Sequence, residues 1–501
     1  MDPISERLRA RHPQRIDLSL DRMRALCAAL GNPQDKLPPV VHVAGTNGKG
    51  STVALIRAIA EAAGLRVHAY TSPHLVRFNE RIRLAGTLIT DEALNAILDR
   101  VEAAMAETGG QATVFESTTA AGLLAMSETP ADLAIIEVGL GGSLDATNVI
   151  ARPLLSVITP VDLDHAEFLG TTIEGVAGEK AGILKAGARG VVARQSEAAM
   201  AVIERRAAEV GSPLTVMGVD FDAWAERGGL VYQDQERFLD LPAPALAGAH
   251  QFDNAGVAIA AALELDLPEA AIAEGLKAVR WPARMQRLTA GPSAEKAQKA
   301  DAELWLDGGH NPHAARALAR ALSDRQTRAP RPTALIVGML ANKDAGGFFE
   351  ALKGIDAQVF TVGFDGTAAE PEALAAVAQG RGFGAMAAGS VDAALERALA
   401  LGAGRLAPST SPARYSEPQM TTRPAPRARA RSSAESTDST AIAPKPRPCA
   451  TAARDSGSAA APSKPTVKTW ASIPFSASKK PPASLLARMP TIKAVGRGAR
   501  A

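Results

Sequence analysis

Short β-branched runs alternate with longer amphipathic segments from residue 38 to about residue 290, and a glycine-rich turn joins the first run to a helix. A second, shorter round of the same alternation follows beyond residue 300. These features predict an α/β protein with a parallel sheet covered on both faces, then a smaller α/β domain, then a tail of different character. At 501 residues the chain exceeds one ordinary domain and accommodates two with a remainder.

Taken in order, residues 40–43 (Val-Val-His-Val) read as a buried strand, followed by the turn 45–50 and a helix over 51–63. Residues 66–70 form a second strand, and the apolar runs 133–136 and 154–158 two more, each ended by polar or glycine punctuation. Ligands on such sheets gather beyond the carboxyl ends of the strands, where the unusual residues of this chain fall. The polar stretch 291–299 separates this unit, residues 1–289, from a second one, residues 290–402. There 304–306, 333–337 and 358–362 are strand-like, with Ala-rich helices between them. From about Leu401 the chain turns to Pro, Ser, Ala and Arg without periodicity, so residues 403–501 are expected to be a disordered tail without a strand, and dispensable.

Composition narrows the function classes. With 46% hydrophobic and 22% charged residues and no apolar run of bilayer length, no membrane span is expected. The first residues lack a basic stretch followed by an apolar one, so no secretory signal is read and the cytoplasm is the expected compartment. The two cysteines, Cys27 and Cys449, make neither a disulfide framework nor a cysteine metal cluster. The net charge of +2 hides a split: residues 403–501 carry 17 Lys and Arg against 4 Asp and Glu, whereas the body is acidic. No nucleic-acid-binding motif occurs in the body, so no nucleic-acid partner is expected.

The strongest local signal is Gly45-Thr46-Asn47-Gly48-Lys49-Gly50-Ser51 between a strand and a helix. Glycines let backbone N–H groups wrap a phosphate, Lys49 supplies a point charge and the helix N-terminus adds its dipole. Val43 stands where the strict phosphate-loop pattern has its first glycine, and a tight strand–helix turn needs glycine in any case. Farther on come Thr71-Ser72-Pro73-His74 and, at the end of an apolar strand beside Gly139, Gly141 and Gly142, the carboxylate Glu137. Such a carboxylate meets a cation or a buried hydrogen bond. Asp162-Leu163-Asp164-His165 and Glu179-Lys180 follow. Mg²⁺ takes oxygen ligands, which serine, glutamate and phosphates supply, and a lone histidine is more often structural than a ligand.

Together these segments resemble the folate branch of the Mur-ligase superfamily, over about residues 12–400. The matches are Arg15-Ile16-Asp17-Leu18, 44–51, TSPHLVRFNER at 71–81, Phe115-Glu116-Ser117, EVGLGGSLDATN at 137–148, 162–170, 179–183, Ala283-Arg284-Met285-Gln286, LDGGHNP at 306–312, Gly338-Met339-Leu340 and Lys343-Asp344. The resemblance implies a phosphate-loop central domain and a Rossmann-like C-terminal domain that binds glutamate and closes on ATP. It implies an ATP-dependent ligase that adds L-glutamate to dihydropteroate and to reduced folates through an acyl phosphate. Gly45, Thr46, Asn47, Gly48, Lys49, Gly50 and Ser51 would hold the ATP phosphates, and Asn254, Arg284, Asp307 and His310 would close on ATP. Ser72, Glu137, His165 and a carbamylated Lys180 would ligate two Mg²⁺, with Lys49, Lys180 and His165 catalytic. Arg15, Ile16, Asp17, Phe115, Glu116, Ser117, Thr118, Leu144, Asp145 and Ala146 match segments that contact the pterin or folate. The expected assembly is a monomer.

Two departures stand out: Ser143 where the family usually has arginine, and Ala283 where it commonly has glycine. The family also ends its second domain with a strand and a helix. Codons for residues 408–417, read from their third positions, permit Leu-Asp-Leu-Ala-Gly-Glu-Val-Leu-Arg, very like that element. The expectation is a frame shift near residues 402–406, with a natural disordered extension as the alternative. Three other functions remain on this reading. A peptidoglycan ligase of the same superfamily would carry a separate N-terminal domain, for which the roughly 44 residues before the phosphate loop are too few. A phosphate-loop switch would leave Glu137, His165 and Lys180 unexplained. A folate ligase inactivated by loss of its last strand is the third.

Overall fold

In the computed structural model of the chain, residues 2–11, 19–109, 112–364, 368–402 and 404–410 are described. Val40–Ala44 (β1) is buried along its whole length because it lies in the middle of a sheet with cores on both faces. Val41 and Val43 point into one core with the helices Lys49–Ala62 and His250–Glu264. Val40 points into the other, with Asp91–Thr108 and Val114–Glu128. Burial on both faces is why the strand reads as a continuous apolar run rather than an alternation.

The other strands of this first sheet are Val67–Tyr70 (β2), Ile82–Leu84 (β3), Thr87–Leu88 (β4), Leu133–Glu137 (β5), Leu155–Ile158 (β6), Arg189–Val192 (β7) and Leu214–Val216 (β8), in the order β4-β3-β2-β5-β1-β6-β7-β8. From β2 to β8 the pairings are parallel, and the edge strands β3 and β4 are antiparallel. The order reverses around β1, so the turns after β1, β5 and β6 meet at one end, as a switch point requires. The helices Ile173–Ala181 and Glu197–Val210 cover the β6–β7 flank through Val176, Ala177, Val202 and Ile203.

A three-stranded antiparallel meander follows, Phe221–Glu226 (β9), Gly229–Asp234 (β10) and Phe238–Pro242 (β11), which the sequence reading did not name. Its charged outer face breaks the apolar runs, while Phe221, Ala223, Leu230 and Tyr232 join the core of helix His250–Glu264. Gly256 makes that approach possible, since a Cβ there would lie 2.6 Å from the Ala223 Cβ.

The second sheet comprises Gln286–Leu288 (β12), Glu303–Leu306 (β13), Thr333–Gly338 (β14), Gln358–Val362 (β15), Ala385–Ala388 (β16) and Arg405–Thr410 (β17), ordered β12-β13-β17-β14-β15-β16. Two expectations are corrected here. The polar stretch at 291–299, expected to separate the two units, lies inside the second one. Pro292–Lys299 is a helix with Ala294 and Ala297 buried, and β12 already pairs with β13 on the near side of residue 289. Residues 403 onward do contain a strand. β17 fills the central slot, parallel to β13 and β14, because the edges of those two strands would otherwise be left unpaired inside a domain. The tail from residue 411, including Cys449, lies outside the described residues. Cys27 is a buried free thiol. Among the described residues no helix is long and apolar enough to cross a membrane.

Candidate active site

The turn after β1 is shaped by close approaches. Gly48, with φ +89°, caps helix Lys49–Ala62, and a Cβ there would lie 2.5 Å from Asn254 Oδ1. At Gly45 a Cβ would collide with Thr159 Oγ1, and at Gly50 it would lie 2.6 Å from the Trp281 ring. The Thr46 and Asn47 N–H groups donate to Pro160 O at 3.0 and 3.3 Å, so the loop after β6 braces the glycine turn. Lys49 Nζ donates to Gly45 O (2.9 Å) and Thr46 O (3.3 Å). Burial lowers its pKa, against the opposing pull of Glu137 and Asp164. Ser51, buried, accepts from Gln251 Nε2 at 3.3 Å, and Gln251 Oε1 in turn accepts from Asn254. Gln251 is a site residue the sequence reading missed.

Glu137 ends β5 only 4% exposed, and its Oε2 has no hydrogen-bond partner. Burial pushes its carboxyl up to about 7 despite the nearby Lys49 and Arg284 and a hydrogen bond from the Ser72 backbone. His165 takes a left-handed φ of +53° at the start of a short helix, and burial holds its imidazole near pKa 4, hence neutral. Among the described residues no group of three or more His, Cys, Asp or Glu is arranged to hold a metal. A site here would therefore complete its oxygen set with Ser72 and substrate phosphates. A buried, unpartnered carboxylate oxygen and a neutral imidazole are donors that a divalent cation accepts.

Lys180 is 4% exposed, and among the described residues no hydrogen bond or ion pair reaches its Nζ. Burial lowers its pKa to about 7, helped by Lys49. The backbone beside it is packed against the glycine loop after β5. Ser143 N and Oγ both donate to Glu179 O (2.8 and 3.2 Å), and a Cβ on Gly142 would collide with that same oxygen. Ser143, the departure from the family arginine, thus fastens the loop to the helix that carries Lys180.

The segments matched to folate contacts separate. Phe115 is partly exposed and lies under Gly139, where a Cβ would strike the Phe115 ring. Leu144 is 42% exposed. Glu116 instead closes the capping box of its own helix with Thr113 and pairs with Arg22 at 2.9 Å. Ser117 and Thr118 are buried, with Thr118 Oγ1 donating to Val114 O within the helix. Asp145 accepts from the N–H groups of Gly139, Leu140 and Thr147, so it holds the loop's shape, and Ala146 is buried. Arg15, Ile16 and Asp17 lie outside the described residues.

The second domain reaches this cluster through the loop after β13. Asp307 Oδ2 accepts from Met285 N (2.9 Å) and Oδ1 from Gly309 N (2.8 Å), and Arg284 donates to Ala283 O (2.8 Å). Ala283 sits at φ +52°, where glycine is strain-free and alanine costs about 1 kcal/mol. Asn311 caps the helix Pro312–Arg328 and donates to Asn47 Oδ1 (3.2 Å) and Asp164 Oδ2 (3.1 Å). His310 was the residue expected to act here; Asn311 carries its own signal, an Asn followed by Pro at a helix start.

A phosphate-type loop, an acidic strand end and a second α/β domain bonded across to them define a class, and it is that of the Mur ligases. The Mur ligase middle domain matches residues 43–262, and the Mur ligase glutamate ligase domain matches residues 284–406. A Bacillus subtilis dihydrofolate synthase/folylpolyglutamate synthase is 38% identical over 322 residues, covering 61% of this chain and 72% of the relative. Among solved structures, Escherichia coli FolC in complex with DHPP and ADP superposes with a TM-score of 0.72 at 31% identity, over 82% of this chain and 94% of that one. A bifunctional folylpolyglutamate synthase/dihydrofolate synthase with Mn, AMPPNP and L-glutamate bound gives 0.69 at 30% identity, over 79% and 92%. The chain belongs to the dihydrofolate synthase/folylpolyglutamate synthase family.

Proposed function

We propose that this chain uses ATP to join L-glutamate to dihydropteroate and to reduced folates through an acyl phosphate. The observation that carries this reading is the phosphate-type loop with half-buried Lys49, bonded across the cleft through Asn47 to Asn311 of the second domain. A carboxylate attacking the γ-phosphate brings like charges together, so the barrier is chiefly electrostatic. Lys49 and the N-terminus of helix Lys49–Ala62 neutralise the phosphates. Gly45–Ser51 position them, with Asn254 beside Gly48 in the first domain, Arg284 at the junction, and Asp307 and His310 closing from the second domain. Phe115 and Leu144, the accessible members of the folate segments, offer apolar surface to a pterin, with Arg15, Ile16 and Asp17 completing that side. Water is kept from the acyl phosphate by the apposed second domain.

Ser72, Glu137, His165 and a carbamylated Lys180 would hold Mg²⁺, two ions on this reading, which when bound screens the phosphate charge. Lys180 suits carbamylation because an amine with pKa near 7 is substantially uncharged at neutral pH, and only the free amine takes up CO₂. The expected setting is a cytoplasmic monomer with small-molecule partners and no nucleic acid. β17 completes the second sheet, which favours an active ligase over a relic lacking its last strand.

The test is ligation of labelled glutamate to dihydropteroate, and separately to a reduced folate, with ATP and Mg²⁺. Lys49→Ala should lower the rate about a hundredfold or more while the fold persists. Near-normal turnover in that variant would remove the loop from its assigned role.

A further inference from the structure

Asp164 is where the second domain is most tightly held. Its Oδ1 accepts from Lys343 Nζ at 2.8 Å, and its Oδ2 accepts from Asn311 Nδ2 at 3.1 Å and lies 3.8 Å from His310 Nε2. Its own chain anchors it, since His165 N donates to Oδ1 at 2.8 Å. Two other polar bridges between the domains are exposed: Arg316 to Asp162 at 2.6 Å and Asn342 to Glu167 at 3.0 Å. Exposed pairs of that kind contribute little and are screened by salt. The Asp164–Lys343 pair differs, with the two side chains 11% and 6% exposed. Breaking a buried pair leaves an uncompensated charge, so the interface has a strong preference for one arrangement.

That arrangement is tied directly to the chemistry. Asn311 uses both amide hydrogens at once, one on Asp164 and one on Asn47 of the phosphate loop, while its Oδ1 accepts from Ala314 N and fixes its orientation. Lys343 Nζ also lies 3.5 Å from His165 Nε2. One carboxylate therefore sets the position of a cation, an amide and an imidazole from the second domain against the loop.

We propose that Asp164 is a positioning residue that docks the second domain on the phosphate loop and thereby couples ATP cleavage to glutamate ligation. This inference rests on the ligase reading given above. A cleft seated by Asp164 excludes water from the acyl phosphate, whose carbonyl carbon is then attacked by the glutamate amine with loss of inorganic phosphate and a proton. A loosely seated cleft admits water, which attacks the same carbon and regenerates the carboxylate, releasing phosphate without product.

The test uses the full chain with Asp164→Asn, and with Lys343→Met as the same break made from the other side should the first variant fail to fold. In the ligation assay, phosphate released per glutamate joined should rise severalfold above one, kcat should fall about tenfold or more, and the KM for ATP should stay within about threefold. A second readout needs no ligase activity: Glu167→Cys with Asn342→Cys places a thiol pair across an exposed bridge. Disulfide formation between them should slow about tenfold or more when Asp164→Asn is added, through a lower population of the docked arrangement. A phosphate-to-product ratio near one together with a disulfide rate within twofold of the parent overturns the proposal. If the parent chain ligates no folate, the ligase reading falls, and the disulfide rate alone decides whether Asp164 docks the domains.

Discussion

Lys180 is chemically the most informative single residue, because a buried lysine with no partner at its Nζ would be a liability as an ammonium. A carbamate turns it into an acid suited to a cation. Lys180→Ala should therefore be inactive and partly restored by a short carboxylate such as acetate, measured as glutamate ligation against acetate concentration. Restoration by a short amine instead would show that the working group is the ammonium. Cys27 illustrates the opposite case. Burial pushes its thiol up to about 12, so the native protein should leave Cys27 unmodified by iodoacetamide at pH 8, with mass spectrometry after tryptic digestion as the check.

Strand β17 carries the main prediction for a single element. Its place between β13 and β14 means that a chain ending at residue 402 loses two parallel pairings and the buried Ala407. That truncation should destabilise the second domain by at least ~3 kcal/mol and lower the melting temperature, whereas ending at residue 418 should not. The occupant fits its slot poorly. Arg405 is 2% exposed; its Nη2 donates to Ala329 O at 3.1 Å and its Nε lies 4.0 Å from Glu303 Oε2, but neither Nε nor Nη1 makes a hydrogen bond, and Pro408 brings no backbone N–H to a central strand, which is otherwise the province of apolar runs. Arg405→Met should accordingly raise stability by about 1–3 kcal/mol, read by thermal melts.

Among the described residues, six histidines, His42, His68, His74, His165, His250 and His313, are held below their ordinary pKa, chiefly by burial. A depressed folded pKa means that the unfolded chain binds the extra proton, so stability present above pH 6.5 is lost as the pH falls toward the folded values. His42, held at about 3, alone contributes about 2 kcal/mol of that loss between pH 7 and pH 5. Glu137 works the other way between about 4.5 and 7, because its raised pKa lets the folded state bind the proton. Six groups outweigh one, and melting temperature should drop steeply below pH 6. A flat profile from pH 7 to 5 would show that these imidazoles are solvated.

Legibility followed the range of the interactions. The strand–turn–helix at 40–62, the apolar strands around β1 and the acidic end of β5 were readable because each depends on local periodicity or on glycine geometry within a few residues. The ordered motifs from residue 44 to residue 344 carried the family in the same way. Tertiary structure alone decided the rest. Ser117 and Thr118 are buried because the helix Val114–Glu128 packs into the core that holds Val40, Ala134 and Ile136, which no spacing reveals. The meander β9–β11 became a layer only by leaning on helix His250–Glu264. β17 exists because two neighbouring strands offer it hydrogen bonds that its own composition would not seek. Asp164 and Lys343 stand 179 residues apart, and their meaning arises only where two separately folded sheets bring opposite charges out of water together.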